Sequence, residues 1–190
     1  YRMTSMILAD GTMGQMMEPV SLEYDIKEAP AKPWATVGTK MEREHNIVNS
    51  LFLQPDELEK SNNERFERYA YIEENEAMYE EYMMDDAEIC IAAFGIASRV
   101  AKNAIVEARK KGIKVGMIRP ITLWPFPNKA FEKTIGKVKT YISVELSMGQ
   151  MIDDVKLATK CSGEYMLCNR VGGMIPSPEE VLAAIEKANG

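Results

Sequence analysis

Met-Gly-Gln-Met occurs twice in this chain, at 13–16 and at 148–151. Each copy follows a short apolar run that ends in an acid: Met6 to Asp10 before the first, Tyr141 to Glu145 before the second. A strand, a small-residue turn and a helix start make the ligand-facing edge of an α/β unit, and the free amides of a helix start bind anions. Gly14, Gln15, Gly149 and Gln150 are therefore binding candidates, the glycines for close backbone approach and the glutamines as neutral hydrogen-bonding groups. The motif is not Gly-x-Gly-x-x-Gly and has no phosphate-loop lysine. The second role open to Gly14 and Gly149 is close packing of helix on strand.

Other residues add chemistry of different kinds. Arg119-Pro120-Ile121-Thr122-Leu123-Trp124-Pro125-Phe126-Pro127 carries three prolines that stiffen the backbone. Arg119, Trp124 and Phe126 are the residue types that anchor interfaces; the alternative is that the two rings cap the domain's own core. Arg170, beside Gly172-Gly173, can hold a carboxylate or phosphate or pair with a surface acid. Asp10, Glu18, Asp153 and Asp154 lie near the helix starts, where acid–base work competes with the plainer role of complementing the helix dipole. His45 is the single histidine, which rules out most metal sites and any histidine triad not built on it. Cys90, Cys161 and Cys168 form no Cys-x-x-Cys, so no metal or iron–sulfur ligation by this chain is expected.

The elements that must position these residues follow from periodicity. Met6–Ala9 reads as a buried strand with nothing before it, and the chain is expected to be a piece or processed product of a longer protein. Residues 19 to 55 keep no period and are punctuated by Pro19, Pro30, Pro33, Gly38 and Pro55, which predicts a long wrapping loop. From Asp56 to Met84 there is neither Gly nor Pro, and one long strut helix is predicted, opened by Pro55 and the acids behind it. Thereafter strands and helices alternate. Strands are expected at Ala87–Phe94, Ile113–Ile118, Thr140–Glu145 and Glu164–Leu167, and helices at Ala97–Lys111, Asn128–Val138, Gly149–Lys160 and Pro178–Ala188. Ser177-Pro178-Glu179-Glu180 is a capping box. The fold class is α/β, a three-layer, largely parallel sheet with helices on both faces.

Composition narrows the function classes. A hydrophobic share of 46% with 27% charged residues argues for a folded core. A net charge of −6 disfavours nucleic acid and anionic membranes as partners. No apolar run approaches the roughly 20 residues of a membrane span. Three scattered cysteines fit a reducing, cytoplasmic setting.

Ala9-Asp10-Gly11 with Met13–Val20 resembles the end of the pyrimidine-binding domain in the α subunit of 2-oxoacid:ferredoxin oxidoreductases. Arg119–Pro127, Val144–Met151 and Arg170–Pro178 resemble the transketolase C-terminal-like (Rossmann-like) domain of the same subunit, and Gly38–Leu51 looks closest to the 2-ketoisovalerate type. The resemblance implies residues 1–20 as a pyrimidine-domain remnant, 21–84 as crossing loop and connecting helix, and 85–190 as a transketolase C-terminal-like domain. It implies an enzyme using thiamine diphosphate, magnesium and iron–sulfur clusters, with β, γ and ferredoxin-like δ subunits, and with ferredoxin and coenzyme A as reactants. None of those cofactors is expected on this portion, which would serve assembly and cleft closure and carry no catalytic residue. The alternative is an autonomous module holding a CoA-like or nucleotide anion between the Gly172-Gly173 turn and the second Met-Gly-Gln-Met helix.

Overall fold

Alternation of apolar side chains organises the sheet. In β2 (Ile89–Ala92) Ile89 and Ile91 enter one core while Cys90 and Ala92 enter another. The same split places Met117 against Ile118 in β3 (Val115–Pro120), and Ile142 against Tyr141 in β4 (Thr140–Glu145). Strands buried on both faces must carry apolar residues at successive positions, which is why these runs are nearly continuous. A computed structural model describes residues 1–190 except Glu18, Lys27 and Ala29; the carboxylate candidate Glu18 thus lies outside the described residues.

The sheet has five strands in the order β1-β3-β2-β4-β5, with β1 at Tyr79–Tyr82 and β5 at Glu164–Asn169. β1 runs antiparallel to β3 and every other pairing is parallel. One face is covered by α3 (Gly95–Lys110) and α6 (Pro178–Asn189), the other by α4 (Asn128–Glu132) and α5 (Met151–Ala158). α3 buries Ala97, Ala101, Ala104, Ile105 and Ala108 on one stripe, small enough to let it lie close to the sheet. α6 opens on the expected capping box: the Ser177 hydroxyl accepts the Glu180 N–H, and the Glu180 carboxylate accepts the Ser177 N–H.

Contacts divide the chain into two units, Tyr1–Met16 with Tyr69–Gly190, and Met17–Arg68. Among its described residues the second unit has no sheet. It holds the first part of α2 (Pro55–Asn75) and a loop in which the Asn46 side chain donates to the Ala35 carbonyl at 2.9 Å.

Two sequence expectations give way. The helix predicted to Met84 ends at Asn75, whose side chain donates to the Tyr71 carbonyl at 2.7 Å. Tyr79–Tyr82 instead pairs along the open edge of β3, with Tyr79 packing on one core and Tyr82 on the other. Tertiary pairing outweighs local helical spacing here, and the segment 21–84 contributes a strand as well as a loop and a helix. Met6–Ala9 forms no strand: Met6, Ile7 and Leu8 are 79%, 95% and 70% exposed. A strand exists by pairing, and among the described residues this segment pairs with none. Boundaries elsewhere shift by a few residues, and α4 is a single short turn, five residues long rather than eleven.

Candidate functional site

The first Met-Gly-Gln-Met forms the second half of a short helix and the second leads into α5, and in each case the acid three residues before the motif accepts first-turn amides. Glu145, the last residue of β4, is buried beneath the first turn of α5. Its carboxylate accepts the N–H groups of Gln150, Met151 and Ile152 at 2.8, 3.1 and 2.9 Å, and the hydroxyls of Ser143 and Ser147 at 2.7 Å each. Burial pushes this carboxyl up, but the Gln150 amide, the two serine hydroxyls and the Ile152 amide outweigh it and hold the group below the ordinary range. The amides expected to face a ligand anion are therefore engaged by the chain's own anion. In the first copy α1 (Gly11–Gln15) is capped by Asp10, which accepts the Met13 N–H at 2.7 Å and the Ile96 N–H of α3 at 3.4 Å.

The repeat is thus longer than the tetrapeptide: acid, any residue, Thr12 or Ser147, then Met-Gly-Gln-Met. Sequence reasoning noted the acids but missed Glu145 as the buried member; an acid closing an apolar strand four residues before a glycine is the signal that marks it. The two glycines differ. Gly149 has φ +99, and a Cβ there would lie 3.2 Å from Leu167 and 3.3 Å from Ile152. Gly14 has open space around it. Close packing therefore explains Gly149 alone. Gln15 and Gln150 both turn their side chains to the surface.

The remaining candidates separate. Phe126 stacks on Phe131 at 5.3 Å and packs against the core, whereas Trp124 is 47% exposed and meets Tyr69 edge-on at 5.2 Å. The peptide between Trp124 and Pro125 is cis. Of the two readings of these rings, Phe126 takes the core and Trp124 the surface. Arg170 pairs with Glu180, the capping-box acid of α6, and that bond holds the Glu180 carboxyl below its usual range. Asp153 pairs with Lys156 at 2.9 Å across one turn of α5, and burial raises the neighbouring Asp154. His45 is exposed in the unit Met17–Arg68.

Arg119 lies directly opposite Glu80 across the β1–β3 pair and donates to it at 2.9 Å; Lys102 of α3 donates to the same carboxylate at 2.7 Å. Lys102 and Glu80 were not legible as partners in the sequence, because β1 was read as helix. Among the described residues no three His, Cys, Asp or Glu side chains converge to hold a metal. Nor, among the described residues, is any helix long and apolar enough to cross a membrane.

Residues 87–181 match the family model described as pyruvate:ferredoxin oxidoreductase core domain II. The chain is 46% identical over 191 positions to ketoisovalerate oxidoreductase subunit VorB of Methanothermobacter marburgensis, covering 100% of this chain and 54% of that one. It is 37% identical over 100 positions to 2-oxoglutarate synthase subunit KorA of Methanocaldococcus jannaschii, covering 53% of this chain and 27% of that one. The chain spans about half the length of the ketoisovalerate relatives it matches. Among solved structures, the 2-oxoglutarate:ferredoxin oxidoreductase of Magnetococcus marinus, with 2-oxoglutarate, coenzyme A and succinyl-CoA bound, superposes at TM-score 0.61 with 19% identity, over 84% of this chain and 28% of that one. A split-gene transketolase in an inactive β4 tetramer superposes at TM-score 0.51 with 15% identity, over 58% and 41%. At these identities the two structures speak to fold, which is transketolase C-terminal-like.

Proposed function

The chain belongs to the pyruvate:ferredoxin oxidoreductase core domain II family, and on that footing we propose that it serves within a 2-oxoacid:ferredoxin oxidoreductase of the 2-ketoisovalerate type. In this reading it is the C-terminal part of the α subunit. Residues 1–20 close the pyrimidine-binding domain, 21–84 cross over, and 85–190 form the transketolase C-terminal-like domain. The complete cytoplasmic complex, with β, γ and ferredoxin-like δ subunits, would convert a branched-chain 2-oxoacid and coenzyme A to acyl-CoA and pass the electrons to ferredoxin. Thiamine diphosphate, magnesium and the clusters belong to other parts of that complex. The work of this portion is assembly and closure of the active-site cleft.

One observation carries the assembly role: among the described residues, burial begins at Ile72. The stretch before it holds Ile7, Met17, Val20, Leu22, Ile26, Val48, Leu51 and Leu53, all more than half exposed. Apolar surface on that scale calls for a covering partner. Trp124, ring half in solvent on a proline-stiffened loop, supplies a further anchor.

Co-expression of the tagged chain with the remaining subunits tests the reading. The chain should co-purify with them and, alone, show no 2-ketoisovalerate decarboxylation when given thiamine diphosphate, magnesium, coenzyme A and an electron acceptor. Turnover by the chain alone, or no association with the other subunits, overturns it.

A further inference from the structure

The two edges of the sheet are built differently. β1 is four residues long and carries Glu80 and Glu81, charges that discourage another strand from pairing. β5 has six residues, Glu-Tyr-Met-Leu-Cys-Asn, with neither Lys nor Pro, and its one acid stands at the first position. Among the described residues no strand pairs with its outer side. An open edge of this kind is a template for a further strand.

The ladder between β4 and β5 fixes which backbone groups are open. The Glu164 N–H donates to the Lys139 carbonyl at 2.9 Å, and the Arg170 N–H to the Glu145 carbonyl at 3.2 Å. Alternate residues of a strand bond to opposite sides. Glu164, Met166, Cys168 and Arg170 therefore bond toward β4, while Tyr165, Leu167 and Asn169 present their N–H and C=O groups to the open side. Side chains alternate as well. Met166 and Cys168 pack on the core that α3 and α6 cover, whereas Leu167 is 37% exposed and lies beside Gly149, ahead of α5.

The order of residues along β5 makes this edge complementary to itself. An antiparallel second β5 centred on Leu167 sets Leu167 against Leu167, Tyr165 against Asn169 and Glu164 against Arg170. The three open residues then meet one another, each pair exchanging two N–H···O bonds. A carboxylate meets a guanidinium at both ends, because a two-fold makes the ends alike. Among the described residues no cation pairs with the Glu164 carboxylate. Arg170 already donates to Glu180 from one arm; a guanidinium has five N–H donors and can serve both acids. Sliding the register by two residues keeps the ladder but separates Glu164 from Arg170. The covering helices leave room for this approach. α5 and α6 each pack on β2, β4 and β5, so both are centred on β4. Across the new pair the two β4 strands lie three strand spacings apart, about 14 Å, enough for helices about 10 Å across.

We propose that β5 is a self-association edge: two copies of this chain pair antiparallel through it, joining two five-stranded sheets into one of ten strands. The contact is small, so the dimer is weak and reversible. It is separate from the assembly role proposed above, which rests on the stretch before Ile72 and on Trp124. None of those residues lies on β5, and each surface has its own readout.

Sedimentation velocity of the 190-residue chain provides the test. A monomer–dimer equilibrium is expected, mostly dimer at about 100 µM and mostly monomer at about 1 µM. Leu167→Lys sets two ammonium groups against each other at the two-fold and should weaken the dimer about tenfold or more. Glu164→Arg and Arg170→Glu should each weaken it about tenfold, since like charges then meet at both ends. An equimolar mixture of those two variants should restore the dimer, because opposite charges meet again at both ends. Circular dichroism reports whether Arg170→Glu folds without its bond to Glu180; if it does not, Leu167→Lys and Glu164→Arg decide. Monomer alone at about 100 µM, or a dimer that either Leu167→Lys or Glu164→Arg leaves unchanged, overturns the proposal. Co-purification of Leu167→Lys with the other subunits tells failure here from failure of the assembly reading.

Discussion

The Glu145 carboxylate accepts the Ile152 N–H at 2.9 Å, so the end of β4 and the start of α5 are joined through one buried anion. With five donors converging on it, this group is the internal ligand of a helix start that would otherwise bind a ligand from solution. Glu145→Gln keeps the size but turns an amide toward amide donors, and it should cost about 1–3 kcal/mol in urea unfolding. Because the folded carboxyl lies below its unfolded value, its contribution is complete above the ordinary carboxylate range near about 4.3 and is lost as pH falls through the lower folded value. Melting temperature followed downward from neutral pH should therefore fall more steeply in the native chain than in Glu145→Gln. Parallel curves would show that the cage contributes nothing.

The two repeat glycines should respond differently to alanine. Gly149→Ala must place a side chain at φ +99 and within 3.3 Å of both Leu167 and Ile152. A loss of about 1–2 kcal/mol is expected. Gly14→Ala enters open space within a helix and should be neutral or stabilising by up to about 1 kcal/mol. Equal effects in thermal unfolding would mean that the repeat is equivalent in structure as well as in sequence.

What was legible from the sequence is what depends on local period. The apolar runs of β2 and β4, the alanine stripe of α3 and the capping box of α6 each carry their own signal, and each is found within a few residues of its predicted place. β1 was hidden because Tyr79 and Tyr82 satisfy a helical spacing as well as a strand one; the open edge of β3 decides between them. Glu145 was visible as an acid but not as a cap, since its role needs the turn that brings Gln150, Met151 and Ile152 back over it. The cluster of Glu80, Lys102 and Arg119 joins residues 22 and 39 positions apart, and no local pattern marks such a meeting.

The three thiols should report burial in solution. Cys90 is fully buried, and desolvation pushes its thiol up to about 12. Burial also raises the half-buried Cys168, while Cys161 is exposed. Reaction with an aromatic disulfide reagent follows thiolate fraction and access. Cys161 should react first, Cys168 slowly, and Cys90 only in denaturant. Rapid titration of all three thiols in native buffer would contradict the core as described.

Gly116 tests whether β1 belongs to the sheet. A Cβ at this position would lie 2.4 Å from the Met83 carbonyl oxygen and 2.7 Å from the Met84 sulfur. The methionine sulfur can swing away, but the Met83 carbonyl is also held by Arg109, whose guanidinium donates to it at 2.7 Å and to the Val115 carbonyl at 2.7 Å. Gly116→Ala must therefore push the segment after β1 off the sheet or break the arginine clamp. A cost of about 1–3 kcal/mol is expected, and the loss should be local: amide hydrogen exchange at Glu80 and Tyr82 should accelerate more than at Ile91 or Ile142, which lie in the centre of the sheet. Stability within about 0.5 kcal/mol of the native chain, with exchange at β1 unchanged, would mean that β1 does not lie against Gly116 in solution.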